Sequence, residues 1–177
     1  MKSGKLAEIA HSSLLVGLGI LSLCLAATGG LRAEPGPPSL KPAPDFNLLD
    51  LAGKEVKLAD FTGKAMLVVF WTSWSKPCQE QLKALTELQQ QYGGKDFTVL
   101  AISLDDKGAD AVKNYAETQK LNFPIVMGDY KAVQDFGGLQ AIPTTFVIEK
   151  GHNVVQKHVG IIEKSTLESE LKTIVIR

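Results

Sequence analysis

The sequence predicts an α/β fold in which a central mixed β-sheet is flanked by helices. An apolar run at residues 66–70 has no polar break and is typical of a buried strand, and residues 97–103 form a second run of this kind. Between the two runs, Leu82, Leu85 and Leu88 recur at helical spacing. Two strands joined through a helix in this order predict a parallel, right-handed crossover.

Residues 1–33 have the pattern of a secretory signal or of an uncleaved signal-anchor. Lys2 and Lys5 give a basic start, residues 14–27 form an apolar core with small residues, and residues 31–33 could serve as a cleavage site. This core is short for a transmembrane helix. We expect a signal, with membrane anchoring through this segment as the alternative, and export to the periplasm or the outer face of the membrane.

Composition limits the function classes of the remainder. The chain has 177 residues, 45% of them hydrophobic, which fits one domain plus the leader. Because the leader holds three basic residues and one acidic residue, the 19 charges of each sign leave 16 basic and 18 acidic residues, a formal charge of −2. Nucleic-acid binding requires a clustered basic face and is not indicated.

Cysteine usage is unusual for an exported protein, in which structural disulfides are common. Cys78 is the only cysteine after residue 33, and Cys24 is interpreted as a passenger in the apolar core of the leader. The exported part is therefore predicted to fold without an intramolecular disulfide. One cysteine and the separated His152 and His158 do not make a metal-ligand set, so we expect neither a metal nor another cofactor.

After the leader, the sequence predicts a spacer followed by a hairpin. Residues 34–42 are rich in proline and predict a stiff, extended linker that does not pair into a sheet. The predicted domain spans residues 43–177. It opens with an extended segment at 43–50, a turn, and an alternating strand at 55–58, which together predict a β-hairpin.

The second half of the predicted domain alternates helices and strands. After the second buried run, an amphipathic helix is predicted with Val112, Tyr115 and Ala116 facing inward. Ser165 begins a capping box that predicts the start of the last helix. Between these helices the sequence predicts a short strand at 123–127, a helical turn at 133–136, a buried strand opened by Pro143, a hairpin turn at 149–153 and a strand at 154–159.

The segment from Trp74 to Cys78 lies at a predicted strand-to-helix turn. Free backbone N–H groups and the helix dipole favour negative charge there, so a thiolate at Cys78 is stabilised and becomes a useful nucleophile. The alternative is that Cys78 is a small buried side chain that is inert or weakly reactive. Pro77 fits the first helical turn because its missing N–H would have no partner there. Ser75 could donate a hydrogen bond to Cys78 or cap the helix, and we expect capping alone.

Two stretches carry a resemblance to a known family. Residues 70–78 read Phe-Trp-Thr-Ser-Trp-Ser-Lys-Pro-Cys and resemble the Phe-Trp-x-x-Trp-Cys-x-Pro-Cys motif of the thioredoxin fold, in particular of the TlpA/ResA-like thiol-disulfide oxidoreductases, or redoxins. Residues 141–148 resemble that family's Ile/Val-Pro-Thr-x-Phe loop. The hairpin within 43–58 resembles the amino-terminal hairpin of the TlpA-like and peroxiredoxin-like branches. The resemblance spans residues 43–176 and implies a thioredoxin-like fold.

The resemblance also implies which residues form the site. Ser75 stands where the family carries its attacking cysteine, so Cys78 has no local partner to close a dithiol cycle. The family's proline loop follows a cis bond, faces the active-site cysteines and offers backbone groups to an extended substrate peptide, a form of strand addition. The candidate catalytic residues are thus Cys78 and Ser75. The candidate substrate-binding residues are Trp74, Lys76, Pro77, Ile142, Pro143 and Thr144.

The resemblance departs from plain thioredoxins at one further position. Val69 occupies the place where they bury an acid that manages protons. Asp105 or Asp106 could substitute, but a solvated turn is the expected position of both. His152 and His158 are expected to be surface or sheet residues without a catalytic role.

Three function classes follow from these observations. The first is an exported single-thiol relative of the TlpA-like oxidoreductases, in which Cys78 forms mixed disulfides with exported proteins that carry free or disulfide-bonded cysteines, and an external thiol resolves them. The second is a redox-inactive peptide-binding or chaperone-like module. The third is a Cys78-dependent peroxidase, since peroxiredoxins have Thr/Ser-x-x-Cys at this turn. Their thiolate relies on an arginine, and this chain has only Arg32 and Arg177, which argues against the third class.

Overall fold

The computed structural model of the protein describes residues 41–94 and 96–176. The helices of this part are α1 (Lys76–Tyr92), α2 (Ala109–Gln119), α3 (Tyr130–Asp135) and α4 (Lys164–Ile176), with a 3-10 helix at Leu58–Phe61. The strands are β1 (Lys41–Pro42), β2 (Asn47–Asp50), β3 (Glu55–Lys57), β4 (Ala65–Trp71), β5 (Phe97–Ser103), β6 (Ile125–Met127), β7 (Thr144–Ile148) and β8 (Asn153–Val159).

All eight strands form one mixed sheet with the order β1-β8-β7-β4-β5-β6-β2-β3. The three strands β4, β5 and β6 run parallel to one another. Strand β7 pairs antiparallel with β4, and β8 pairs antiparallel with β7. The predicted amino-terminal hairpin is present as β2 and β3, and it joins the sheet through β6. The predicted parallel pairing of the two buried runs is confirmed, because Ala65 to Trp71 pair with Phe97 to Ser103.

The sheet buries both of its faces, which explains why β4 is apolar without interruption. On one side, called the helical face, Leu67, Val69 and Trp71 pack against α1, α2 and α4. On the other side, called the aromatic face, Met66, Val68 and Phe70 pack with the 3-10 helix, α3 and the amino-terminal segment.

Three phenylalanines fill the centre of the aromatic face. The rings of Phe70, Phe136 and Phe146 meet edge to face, with centroid separations of 5.2, 5.9 and 4.9 Å. This is the favoured geometry of aromatic pairs, since the positive edge of one ring meets the negative face of the next. The core of this face is therefore built from large side chains rather than from long helices.

Two helix starts differ from the prediction. The helical turn predicted at 133–136 begins earlier, at Tyr130, because the Asp129 carboxylate caps it by accepting the N–H of Ala132 at 2.7 Å. The capping box predicted at Ser165 is wrong. Helix α4 already begins at Lys164, and the Glu163 carbonyl accepts the first amide hydrogen bonds of the helix, so Ser165 lies inside its first turn.

The amino-terminal boundary also differs in one detail. Lys41 and Pro42, the last residues of the predicted linker, pair with Val154 and Asn153 at the sheet edge. Proline is tolerated there because an edge strand needs only one set of ladder hydrogen bonds. The leader predicted at 1–33 lies outside the described residues. Within residues 41–94 and 96–176, no helix combines the length and the apolar character that crossing a membrane requires.

Candidate active site

The candidate site begins at the turn formed by residues 72–75, which connects the end of β4 to the start of α1. Ser75 is the N-cap residue, with extended backbone angles, and its carbonyl accepts the N–H of Gln79 at 3.0 Å. Its side chain makes no capping hydrogen bond, so the expected side-chain cap is wrong. A capping oxygen accepts from the second or third helical N–H. Pro77 at the second position has none to give, and the Ser75 side chain does not accept the N–H of Cys78 at the third.

Cys78 is the third residue of α1. Its thiol is free, and its side chain is fully buried on the helical face together with Trp71 and Leu82. Ser75, three residues earlier, is also buried. In the described part of the chain no hydrogen bond joins the Ser75 hydroxyl to this thiol. The structure therefore brings the two candidate catalytic residues to one helical turn and keeps the thiol away from solvent.

The Pro143 loop, residues 141–144, lies beside this turn. Thr144 pairs with Phe70, so the loop enters β7 at the same edge of the sheet at which the 72–75 turn leaves β4. The Ile142–Pro143 peptide bond is cis. The Pro143 carbonyl accepts the N–H of Gly160 at 2.7 Å, and the Thr144 hydroxyl donates to the Ala141 carbonyl at 2.6 Å.

The candidate substrate-binding residues differ in what they can present. Trp74 is 61% exposed, and Lys76 and Pro77 are also exposed. Pro143 and Thr144 are buried, and Ile142 is half-buried. The 72–75 turn and the start of α1 thus offer side chains at this edge, whereas the Pro143 loop offers mainly its backbone.

Asp105 is a buried carboxylate, and its expected position in a solvated turn is wrong. It accepts the Ser73 N–H at 2.8 Å, the Ser73 hydroxyl at 2.7 Å and the Ser103 hydroxyl at 2.8 Å. Asp106 is exposed, as expected. The sequence contained one indication that Asp105 contacts Ser73. The two residues follow the adjacent parallel strands β5 and β4, and residues in such positions meet at the same edge of the sheet.

Tyr115 of α2 is a site residue that the sequence predicted only as an inward-facing one. Its ring lies 5.5 Å from that of Trp71. Burial, followed by the negative charges that Cys78 and Asp105 can carry, raises the pKa of the Tyr115 phenol. This residue therefore stays protonated at neutral pH and lies within electrostatic reach of both acidic groups.

Two glutamines connect α1 to its surroundings. The amide nitrogen of Gln79 donates to the Ser73 carbonyl at 2.8 Å, which ties the first turn of α1 to the 72–75 turn. The amide oxygen of Gln81 accepts the N–H of Ile162 at 2.8 Å, which ties α1 to the segment before α4. Two polar contacts close to Cys78 thus fix the first turns of α1.

The histidines have structural contacts. A ring nitrogen of His152 lies 3.1 Å from the Phe61 carbonyl, and one of His158 lies 2.9 Å from the Glu170 carboxylate. Among residues 41–94 and 96–176, no three His, Cys, Asp or Glu side chains are grouped so as to hold a metal ion.

Comparison with known proteins assigns the family. Residues 40–157 match the AhpC/TSA family. The chain belongs to this family. Over 134 residues it is 35% identical to the thiol-disulfide oxidoreductase ResA of Bacillus thuringiensis subsp. konkukian, an alignment that covers 76% of this chain and 77% of the relative. Over 131 residues it is 34% identical to the thioredoxin-like protein YneN of Bacillus subtilis, covering 73% and 76% of the two chains.

A solved structure agrees with this assignment. The AhpC/TSA-family chain superposes on a thiol:disulfide interchange protein of the thioredoxin family from Chlorobium tepidum with a TM-score of 0.71 and 30% identity, covering 77% of this chain and 97% of the other. The predicted thioredoxin-like fold and the predicted resemblance to the redoxin and ResA-like thiol-disulfide oxidoreductases are confirmed.

Proposed function

We propose that this chain is an exported, single-thiol member of the thiol-disulfide oxidoreductases that exchanges disulfides with protein segments through Cys78. The observation that carries the proposal is a free thiol in the first turn of α1, directly after a turn that exposes Trp74. Helix amino termini favour negative charge, and the thiolate is the form of cysteine that attacks a disulfide.

The exchange step needs only one cysteine on this chain. The Cys78 thiolate attacks one sulfur of a client disulfide, the bond between Cys78 and the client forms, and the second client sulfur leaves as a thiolate. Cys78 is the only cysteine of the described residues, so the mixed disulfide persists there. An outside thiolate then attacks the client sulfur and releases the Cys78 thiolate.

The clients that fit this site are exported proteins with free or disulfide-bonded cysteines. Trp74 supplies an aromatic wall, and Lys76 and Pro77 flank it at the start of α1. The backbone of the Pro143 loop supplies hydrogen bonds to an extended client segment, which is how strand addition obtains its affinity. Because Cys78 is buried, exchange also requires the turn above it to open, and we expect Cys78 to react more slowly than an exposed thiol.

The test uses a short peptide whose single cysteine is activated as a mixed disulfide with thionitrobenzoate. With Cys24→Ser full-length protein, in which Cys78 is the only thiol, we expect release of the coloured thionitrobenzoate and a mass increase equal to the peptide. The matched control adds Cys78→Ser, which should abolish both signals. Release that continues in the control, or its absence in the Cys24→Ser protein, contradicts the proposal.

A second function is favoured by one observation, the complete burial of the Cys78 side chain. Under this alternative the protein is a redox-inactive peptide-binding module. The same peptide with serine in place of its cysteine should then bind with equal affinity to the Cys24→Ser protein and to its Cys78→Ser derivative, and Trp74→Ala should weaken binding. For the third class, a peroxidase, the described residues offer no arginine to hold the thiolate.

A further inference from the structure

Asp105 is a buried acidic residue that the exchange step does not use, and it lies at the edge of the sheet where the candidate site is built. It follows β5 directly beyond Leu104 and is 7% exposed. We propose that Asp105 is a positioning residue that holds the 72–75 turn in the shape that presents Trp74 to a client. That a client binds at Trp74 rests on the proposed function, whereas the geometry of the turn rests on the hydrogen bonds of Asp105.

The contacts of Asp105 converge on one residue of the turn. Ser73 donates its N–H to one carboxylate oxygen at 2.8 Å and its hydroxyl to the other at 2.7 Å. The Ser103 hydroxyl donates to the first oxygen at 2.8 Å and fixes the carboxylate from the side of β5. Hydrogen bonds to a carboxylate are about twice as strong as those between neutral groups, so Ser73 is held firmly at two atoms.

The same turn is fastened on its opposite side. The Ser73 carbonyl accepts the amide of Gln79, the residue after Cys78, at 2.8 Å. The carbonyl of Trp71 accepts the N–H of Leu104 at 2.8 Å, which adds a further link to the end of β5. Ser73 therefore bridges Asp105 and the active-site helix through its own backbone.

Trp74 depends on this arrangement because little else orients it. It follows Ser73 directly, and its side chain is 61% exposed, whereas Trp71 is fully buried. A side chain with so little packing takes its direction from its backbone. The backbone on its amino-terminal side is held by Asp105, and the backbone on its carboxyl-terminal side enters α1.

Asparagine is a sharp probe of this role. It keeps the size of Asp105 but replaces one acceptor oxygen with an NH₂ donor. Its oxygen can still accept the Ser73 N–H and the Ser103 hydroxyl while its NH₂ donates to the Ser73 hydroxyl, so Asp105→Asn keeps the contacts of the turn and removes the negative charge that strengthens them. Asp106 is the matched control because it is adjacent, exposed and equally charged.

The experiment compares Asp105→Asn, Asp106→Asn, Trp74→Ala and the Asp105→Asn/Trp74→Ala double variant, all in full-length Cys24→Ser protein. The first readout is the time-resolved fluorescence anisotropy of the tryptophan that acrylamide quenches, which is Trp74 because Trp71 is buried. The second is the capture rate of the activated cysteine peptide divided by the alkylation rate of Cys78 with iodoacetamide. This ratio separates presentation of the peptide from simple access to the thiol.

We expect Asp105→Asn to increase the fast motion of Trp74 and to lower the rate ratio about tenfold, because hydrogen bonds to a neutral amide are about half as strong as those to a carboxylate. Asp106→Asn should match the parent protein. In the Trp74→Ala background, Asp105→Asn should change the ratio less than about twofold, since residues that act through one another are not additive.

Three results overturn the inference. One is an unchanged Trp74 anisotropy in Asp105→Asn, whatever the peptide does. Another is an equal fall of the ratio with and without Trp74, which places the effect of Asp105 elsewhere. A parent protein that captures no peptide removes the proposed function, while the anisotropy still decides the positioning role. If Asp105→Asn does not fold, Ser73→Ala takes its place, because this variant deletes the hydrogen bond from the Ser73 hydroxyl to Asp105. The third result that overturns the inference is then an unchanged Trp74 anisotropy in Ser73→Ala.

Discussion

The two faces of the sheet are built from the same strands but differ in the kind of side chain that they bury. On the aromatic face, Phe70, Phe136 and Phe146 meet ring against ring. On the helical face, the free thiol of Cys78 shares the interior with polar groups. Four buried polar atoms have no hydrogen-bond partner among the described residues: Trp71 Nε1, Gln81 Nε2 and Thr145 Oγ1 on the helical face, and Thr72 Oγ1 in the turn after β4.

This difference indicates where the molecule obtains its stability and where it holds its chemistry. The side chains that fill the aromatic face are mostly apolar, and its buried Thr98 and Thr144 hydroxyls both donate to backbone carbonyls, so this face packs without an unsatisfied hydroxyl on β5 or β7. Buried polar groups cost free energy, and proteins tolerate such departures from a purely apolar core mainly at functional sites. The aromatic face is therefore expected to respond to changes in volume, and the helical face to changes in chemistry.

The largest effect is expected from a chemical change beside the helical face. Ser75→Cys should give a protein that cycles between dithiol and disulfide, because the turn and Pro77 already provide the geometry of the family's motif. In a coupled insulin-reduction assay the parent protein should show no turnover and the variant should show it. Equal turnover of the two proteins would mean that Ser75 is not the residue that disables the dithiol cycle.

The next effect is expected on the aromatic face. Phe146→Ala should lower the free energy of unfolding by about 3–5 kcal/mol, because it removes a buried ring that contacts two others and leaves a cavity. Urea unfolding measures the change. Trp74→Ala, which truncates an exposed aromatic side chain, is the control and should shift stability by no more than about 0.5 kcal/mol. A small effect of Phe146→Ala would break the proposed division between the faces.

A smaller effect should separate two polar residues of the helical face. Gln81→Leu should destabilise the fold by about 1–3 kcal/mol, because the N–H of Ile162 loses its partner inside the protein. Thr145→Val keeps the side-chain shape and removes a hydroxyl that has no partner, so it should be neutral within about 1 kcal/mol or stabilising. If urea unfolding gave equal losses for both, the Thr145 hydroxyl would have to be satisfied, for example by an internal water.

The smallest effect concerns the exposed rim, where α1 meets α4. The Lys172 ammonium, followed by the Tyr92 hydroxyl, lowers the pKa of Glu168 through hydrogen bonds. A carboxyl whose pKa is lowered on folding stabilises the protein above its unfolded value of about 4.3, and this stabilisation is lost as the pH falls. Glu168→Gln should therefore reduce the loss of stability between neutral and acidic pH.

Urea midpoints at several pH values measure this dependence, with Glu117→Gln on an exposed carboxylate of α2 as the control. The effect should be small because these groups are solvated and salt screens them. An equal pH dependence of stability in Glu168→Gln and Glu117→Gln would mean that the contacts of Glu168 with Lys172 and Tyr92 do not stabilise the fold.

Much of the fold could be read from the sequence because its signals are local. The unbroken apolar runs of β4 and β5 and the spacing of the α1 leucines are properties of neighbouring residues, and they predicted the parallel centre of the sheet. The family motif at residues 70–78 located the 72–75 turn and Cys78 for the same reason.

The errors concern contacts between distant or subtly placed residues. The burial of Asp105 depends on the pairing of β4 with β5, which brings it to a turn 32 positions away in the sequence. The side-chain cap expected at Ser75 is absent, since Pro77 removes one of its two possible donors and the hydroxyl does not accept from the other, the N–H of Cys78. The burial of Cys78 is not an error, since the sequence left a buried and a working thiol both open, and the choice depends on how α2 and the sheet enclose α1.

The single free thiol of the described residues has a consequence for how the protein relates to its redox environment. No cross-link holds residues 41–94 and 96–176 together, so their fold does not depend on the redox poise of the compartment and should unfold at the same urea concentration with or without a reductant. Any mixed disulfide at Cys78 would be stable or labile according to the potential of the partner and of the outside thiol. The stability of the fold is therefore independent of the redox potential, and the lifetime of a mixed disulfide with a client is set by the thiols around the protein.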